Sequence, residues 1–229
     1  MTTSATSSAT LDPFATEERA ALADVCARFT REHVVPHLAD WERAGDVPRS
    51  LHRQAAALGL LGLGFPEEVG GSGGDTLDVT VLTEAMLGAG ASGGLLAALF
   101  THGIALPHVV DAALGRSGGE PAPWLVDAVT EPVLAGEAII ALGVTEPDGG
   151  SDVARLRTRA RRDEQTGDWI IDGAKTYITS GARADHVVVA ARTGGEGAAG
   201  LSLLLVPTST PGFVVTRRLE KMGWHCSDT

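Results

Sequence analysis

Residues 136–162 read GEAIIALGVTEPDGGSDVARLRTRARR, and the chain changes character across them. Upstream of Gly136 the apolar residues recur at helical spacing. Between Asp12 and Trp41 they fall at Ala21, Leu22, Val25, Cys26, Phe29, Val34 and Leu38, one face of a 3.6-residue period. Thr16 is placed to cap that helix, with Glu17 and Glu18 favourable in its first turn, and Pro36 kinks or ends it. Further helices are expected over 49–61, 77–87, 95–114 and 124–134. The run PEEVGGSGGD at 66–75 carries four glycines and reads as a loop. Downstream of Gly136 the chain reads as strands at 139–144, 156–162, 169–172, 186–192, 201–206 and 213–218. They are rich in Val, Ile and Leu and separated by turns such as EQTGD and TGGEGAAG. The expected fold class is therefore α+β: a tail at 1–11, an all-helical N-terminal domain at 12–135, then an antiparallel, barrel-like β domain at 136–229.

Charge divides at the same joint. The 229 residues carry 18 Lys+Arg and 29 Asp+Glu, a formal net charge of -11, and residues 1–135 account for -10 of it. So acidic a balance argues against a nucleic-acid binder. Two cysteines, Cys26 and Cys226, stand far apart. That excludes a disulfide framework or a cysteine-rich zinc site and fits two buried thiols in a reducing cytoplasm. The opening MTTSATSSAT lacks the basic start and apolar run of a signal peptide. The most apolar stretch, 94–110, is short for a membrane span and holds Thr101, His102, Pro107 and His108. It reads as a buried helix bent or ended near Pro107, and no membrane association is expected. His33 and His37 share a helix face but have no third ligand at a recognisable spacing, so no metal site is expected. His102 and His108 read as structural or rim residues.

Two segments concentrate site chemistry. In VTEPDGGSD, 144–152, a strand ends at Val144, Glu146-Pro147 turns the chain, and Asp148-Gly149-Gly150-Ser151-Asp152 can present successive backbone N–H groups to an anion such as a pyrophosphate. An ordinary β-turn fits those residues too. In GAKTYITSGARAD, 173–185, Gly173 breaks a strand, and Lys175, Tyr177 and Thr179 alternate so as to share one side. Tyr177 beside the Thr179 hydroxyl suits a flat heteroaromatic ring, or a rim aromatic with no ligand. The arginines at 155, 157, 159 and 161 fall on one face of a strand, with Leu156, Thr158 and Ala160 on the other. This row reads as a solvated sheet face in preference to an anion site. No G-x-S-x-G, H-E-x-x-H, P-loop or strand-linked G-x-G-x-x-G is present.

Six blocks occur in a telling order: LGLLGLGFPEEVGGSGG, ALGVTEPDGGSDVARLRTRA, DWIIDGAKTYITSGARADHVVVAART, GLSLLLVP, TPGFVV and LEKMGWHCSDT. Together they resemble the acyl-CoA dehydrogenase family of flavoenzymes across nearly the whole chain apart from its tail. The resemblance implies an N-terminal helical domain, a middle β domain and a C-terminal helical bundle, the last missing from this sequence. It implies FAD as cofactor, an acyl-CoA thioester as substrate, an electron-transfer flavoprotein as electron acceptor, and a homo-oligomer. By the same resemblance, Leu142, Val144 and Thr145 lie along the flavin edge. Gly150 and Ser151 sit near the FAD pyrophosphate, with Ser151 also near the acyl-CoA. Tyr177, Ile178 and Thr179 contact the flavin ring. Relatives often carry Trp at the Tyr177 position and an aromatic at the Leu142 position. The family reaction removes an α-proton with a carboxylate while a hydride leaves the β-carbon for the flavin. No carboxylate here matches the family's catalytic base, and the chain stops within a segment expected to continue as a strand. A non-catalytic flavin- or acyl-CoA-binding or partner module, and an acyl-CoA oxidase or flavin monooxygenase relative, are the alternatives.

Overall fold

The computed structural model describes residues 14–229; the expected tail at 1–11, and Asp12 at the start of the first expected helix, lie outside them. Helix α1, Glu17–Phe29, opens with the Thr16 hydroxyl accepting the Arg19 N–H, as its sequence predicts. It passes into a π turn, Thr30–Val34, and breaks around Pro36 before α2, Leu38–Ala44. Helix α3 is Arg49–Ala57 and α4 is Thr76–Gly88. Asp75 and Asp78 form a reciprocal capping box at the start of α4. Arg19 reaches from α1 to both carboxylates, at 3.1 and 2.9 Å, tying the two helices together at that cap.

The expected single helix over 95–114 is two helices, α5, Gly93–Leu99, and α6, His102–Ala113. The break falls at Phe100–Thr101, and Pro107 sits inside α6 without ending it. The buried His102 ring, whose Nε2 lies 2.8 Å from the Leu61 carbonyl, anchors the start of α6 at that break. The stretch Gly93–Ala113 is apolar and long enough to cross a membrane by composition alone. Here Leu95, Ala98, Leu99, Leu106, Val109 and Val110 from it are buried within the protein. The expected helix at 124–134 includes a π turn, Val126–Thr130, and a short α7, Glu131–Leu134.

Gly136 then turns the chain toward the sheet. Its φ is +73°, and a Cβ there would lie 2.5 Å from the His52 backbone, so only glycine fits against α3. Five strands follow: β1 (Ile140–Gly143), β2 (Arg159–Arg162), β3 (Trp169–Asp172), β4 (His186–Arg192) and β5 (Leu201–Pro207). The sheet is mixed, where antiparallel pairing throughout was expected. β2 pairs antiparallel with β3, and β5 with the whole length of β4. β1 pairs parallel with β4 from Ile140↔His186 to Gly143↔Val189, and β2 takes up parallel pairing with β4 only at Arg159↔Arg192. Because β5 occupies one edge of β4, β1 and β2 share the other edge in succession. The chain leaves the sheet between them, and that exit is the 144–158 loop.

Two expected strands differ. Strand β2 starts at Arg159 instead of residue 156, because the N–H groups of Arg157 and Thr158 are held by the Glu146 carboxylate and not by a neighbouring strand. The arginine alternation survives all the same. Arg155, Arg157, Arg159 and Arg161 are exposed, and Leu156, Thr158 and Ala160 are buried. Residues 213–218 have no ladder partner and form no strand, leaving Val214 and Val215 exposed.

One core joins α1, α3, α4 and α5 through Phe29, Leu51, Leu82, Met86, Leu95 and Leu99, and both cysteines lie in it. A second seats the sheet on the helices, packing Leu106, Val109 and Val110 of α6 with Val129, Val133, Ile140 and Val188. Burying a Leu or Val side chain contributes about 1.5–3 kcal/mol, so this seam fixes the sheet on the helical layer. The opposite sheet face buries Ala141, Val187 and Val189, with Ile178 and Phe213 beside them.

Candidate cofactor site

The site begins where β1 runs out. Leu142 lies on the strand face turned toward the helices, half-buried beside the second core. Past Gly143 the chain has no strand partner, and a side chain takes its place. Lys175 Nζ donates to the Val144 carbonyl at 2.9 Å and to Glu146 Oε1 at 3.0 Å. The Glu146 carboxylate is 8% exposed and accepts two further bonds, both 2.7 Å, from the N–H groups of Arg157 and Thr158. Burial pushes the carboxyl pKa up. The bonds from Thr158 and Arg157 and the Lys175 ammonium outweigh that and hold it at about 2. Burial also lowers the Lys175 pKa, with Glu146 opposing. A carboxylate so held is a poor proton acceptor near neutral pH. Glu146 is thus a structural tie: it folds the 144–152 turn against the start of β2.

The same lysine brings in the second loop. The Thr176 N–H donates to the Thr145 carbonyl at 2.9 Å, so residues 175–176 run beside 144–145. Close approach is secured just upstream at Gly173, where a Cβ would lie 2.4 Å from Thr158 Oγ1. The expected alternation of Lys175, Tyr177 and Thr179 does not hold. Tyr177 has φ +57° and Ser180 φ +58°, both left-handed for non-glycine residues, so the segment is a turn and not a strand. Lys175 consequently points inward, while Tyr177 projects outward with 70% of its surface exposed. Ile178 packs on the lower sheet core and Thr179 is half-buried.

The resulting arrangement sets two loops side by side at the end of β1, with Gly150 and Ser151 exposed on one and Tyr177 on the other. Thr145 lies between them, its Cγ2 3.9 Å from the position a Cβ on Gly150 would take. Among the described residues, the backbone N–H groups of Gly150, Ser151, Ile178 and Thr179 donate to no protein acceptor. A hollow of about 220 Å³ opens along the first loop, bounded by Val144, Gly149, Gly150, Asp152, Arg155 and Arg157. Arg157 also pairs with Asp148 at 2.9 Å, across the mouth of the turn. An exposed aromatic face, unpaired N–H donors and a glycine turn with basic neighbours are the groups that a flavin ring and a pyrophosphate call for, so the residues present fit FAD. The Glu146–Lys175 tie is the element that sequence reasoning did not assemble. Both residues were visible in TEP and GAK, but only the fold reveals that they meet.

His33 and His37 each make a ring contact of their own, His33 tilted against Phe29 and His37 against Trp41. Cys226 is more than a buried apolar group: its thiol donates to Glu42 Oε1 at 3.2 Å.

Two family models match the chain: the acyl-CoA dehydrogenase N-terminal domain over residues 16–113 and the acyl-CoA dehydrogenase middle domain over residues 141–229. The chain belongs to the acyl-CoA dehydrogenase family. A solved structure of a probable acyl-CoA dehydrogenase from Mycobacterium abscessus superposes with a TM-score of 0.87 at 54% identity, covering 94% of this chain and 55% of that one. The long-chain specific acyl-CoA dehydrogenase of mouse mitochondria is 35% identical over 205 residues, 88% of this chain and 45% of its own length. A glutaryl-CoA dehydrogenase from Mycobacterium smegmatis, solved in complex with FADH2, is 28% identical with a TM-score of 0.80, covering 96% of this chain and 53% of that one. The chain thus spans about half the length of the acyl-CoA dehydrogenases it matches.

Proposed function

We propose that residues 12–135 and 136–229 are the N-terminal and middle domains of an FAD-dependent acyl-CoA dehydrogenase, and that they build the flavin-facing half of its site. The observation that carries this reading is the pairing of the 144–152 and 175–179 loops through Lys175 and Glu146. That tie places unpaired backbone donors and an exposed aromatic ring side by side. In this reading Gly150 and Ser151 hold the pyrophosphate through their N–H groups, and Ser151 also lies near the acyl-CoA. Tyr177 lies against the ring, the Ile178 and Thr179 N–H groups and the Thr179 hydroxyl bond its heteroatoms, and Leu142, Val144 and Thr145 border its edge. When bound, FAD supplies the hydride acceptor for α,β-dehydrogenation of an acyl-CoA thioester. The chain's own residues orient the ring and exclude water from one side of it. An electron-transfer flavoprotein would serve as the electron acceptor. The enzyme is read as cytoplasmic and as a homo-oligomer in its working form.

Titration of the purified protein with FAD tests the binding half of this reading, followed by anaerobic addition of acyl-CoA thioesters of several chain lengths. Uptake of flavin with a perturbed visible spectrum is the expected result, and T179A is expected to weaken uptake about tenfold, the loss of a hydrogen bond to a buried partner. No flavin uptake sinks the proposal. Flavin that binds and is reoxidised rapidly by oxygen after acyl-CoA reduces it transfers the assignment to an oxidase.

A further inference from the structure

The turn that presents Tyr177 and Thr179 is strained on both sides, and one residue far along the chain is arranged to hold it. Two left-handed non-glycine residues within four positions, Tyr177 and Ser180, each cost on the order of 1–3 kcal/mol and persist only where neighbours over-determine them. Asp228 supplies those neighbours twice. Its backbone carbonyl accepts the Ser180 N–H at 3.0 Å, and its Oδ2 accepts the Ala182 N–H at 2.8 Å. Asp228 is 2% exposed, and its Oδ1 has no hydrogen-bond partner among the described residues. The segment bearing it is itself anchored. The Leu219 N–H donates to the Thr229 carbonyl at 2.8 Å, Lys221 Nζ donates to Thr229 Oγ1 at 2.9 Å, and Lys221 also bonds the Ser227 carbonyl. Glu42 of α2 accepts the Cys226 N–H at 3.1 Å, so the brace is tied back to the helical layer.

We infer that Asp228 is a positioning residue for cofactor binding, a brace behind the 178–182 turn that fixes the angle at which Tyr177 and Thr179 meet the flavin ring. The inference rests on the reading that 177–179 contact FAD, and it adds that their geometry depends on a carboxylate on the far side of the turn. A misplacement of about 1 Å at a positioning group can cost as much as a hundredfold, so removal of the brace acts on the cofactor without touching it.

The test compares wild type, D228A and D228N in FAD titrations, with amide hydrogen exchange of the free proteins read at Ser180 and Ala182. Asn keeps an oxygen acceptor in the same place, so D228N is the rescuing variant. The expected result for D228A is faster exchange at Ala182, whose side-chain acceptor is removed, with Ser180, held by the backbone carbonyl, as the internal reference; FAD affinity reduced about tenfold or more; and a shifted visible spectrum of the flavin that remains bound, with D228N close to wild type on all three. If D228A binds FAD with wild-type affinity and spectrum, the inference is overturned while the flavin reading stands. It is overturned equally if affinity falls only in step with thermal stability, with the spectrum unchanged. If wild type takes up no FAD, the underlying reading fails and this one with it.

Discussion

Glu146 shows how much one side chain decides. Its carboxylate replaces a strand as the partner of two backbone N–H groups, and its lysine partner draws in the second loop. Removing either charge leaves the other buried and under-satisfied, which costs about 3–5 kcal/mol in comparable pairs. E146Q and K175M are accordingly each expected to lower the urea midpoint markedly, with the double variant recovering part of the loss. The pH dependence follows from the same contacts. The Glu146 pKa is depressed on folding, so its contribution is present above the ordinary carboxylate range and is lost as pH falls from about 4.5 toward 2. Acid unfolding of wild type should steepen through that window, and E146Q should remove the increment.

At the scale of elements, helices α3 and α6 carry one buried imidazole each. His52 Nε2 lies 3.3 Å from the Ala98 carbonyl and His102 Nε2 2.8 Å from the Leu61 carbonyl. Burial lowers both pKa values to about 4, the positive charge of Arg183 adding to the effect at His52. Both rings are therefore neutral when folded and charge more readily when unfolded. The stability they preserve is present above about pH 6.5 and is lost as pH falls toward 4. H102Q, which keeps a side-chain donor, should flatten that part of the stability profile in circular-dichroism melts. The joint between helices and sheet makes a sharper prediction. G136A forces a Cβ into the His52 backbone at a positive φ and should destabilise by about 3 kcal/mol or more, or prevent folding. Much of this was legible in the sequence. The helical period before Gly136, the Thr16 cap, the arginine alternation and the positions of five strands along the chain all come from local patterns. The parallel pairing of β1 with β4 did not, because strand direction is set by contacts more than forty residues apart. The turn at Tyr177 was hidden too: period-2 patterning assumes extended backbone, and a Tyr at φ +57° breaks it without a glycine to announce the break.

Across the whole molecule, the helical layer and the sheet are joined by polar clasps as well as by the shared core. Arg49 of α3 donates to Asp185 Oδ2 at 2.7 Å and to the Arg183 carbonyl at 2.9 Å, and Arg183 pairs with Asp46 at 2.6 Å. Asp185 Oδ2 also accepts the Ile139 N–H at 2.8 Å, at the threshold of β1. The two ends of this clasp should differ. Arg49 and Asp185 are each partly open to solvent, so R49A should cost less than about 1 kcal/mol. D185A also orphans the Ile139 N–H and should cost about 2–3 kcal/mol; urea unfolding of both variants checks the order. The clasp bears on the proposed function because it sets the base of β1, whose far end carries the proposed cofactor site. The site residues drawn from the family resemblance lie on the end of β1, where Leu142 sits, and on two loops that the fold does bring together, whereas the means of joining them, Glu146 with Lys175 and Asp228 behind the turn, emerges only from side chains distant in sequence. The central claim is that these paired loops hold the cofactor through their unpaired N–H groups. Amide hydrogen exchange measured with and without saturating FAD tests it most directly. Protection concentrated at Gly150, Ser151, Ile178 and Thr179 is the predicted result; exchange at those four amides left unchanged by bound FAD would contradict it.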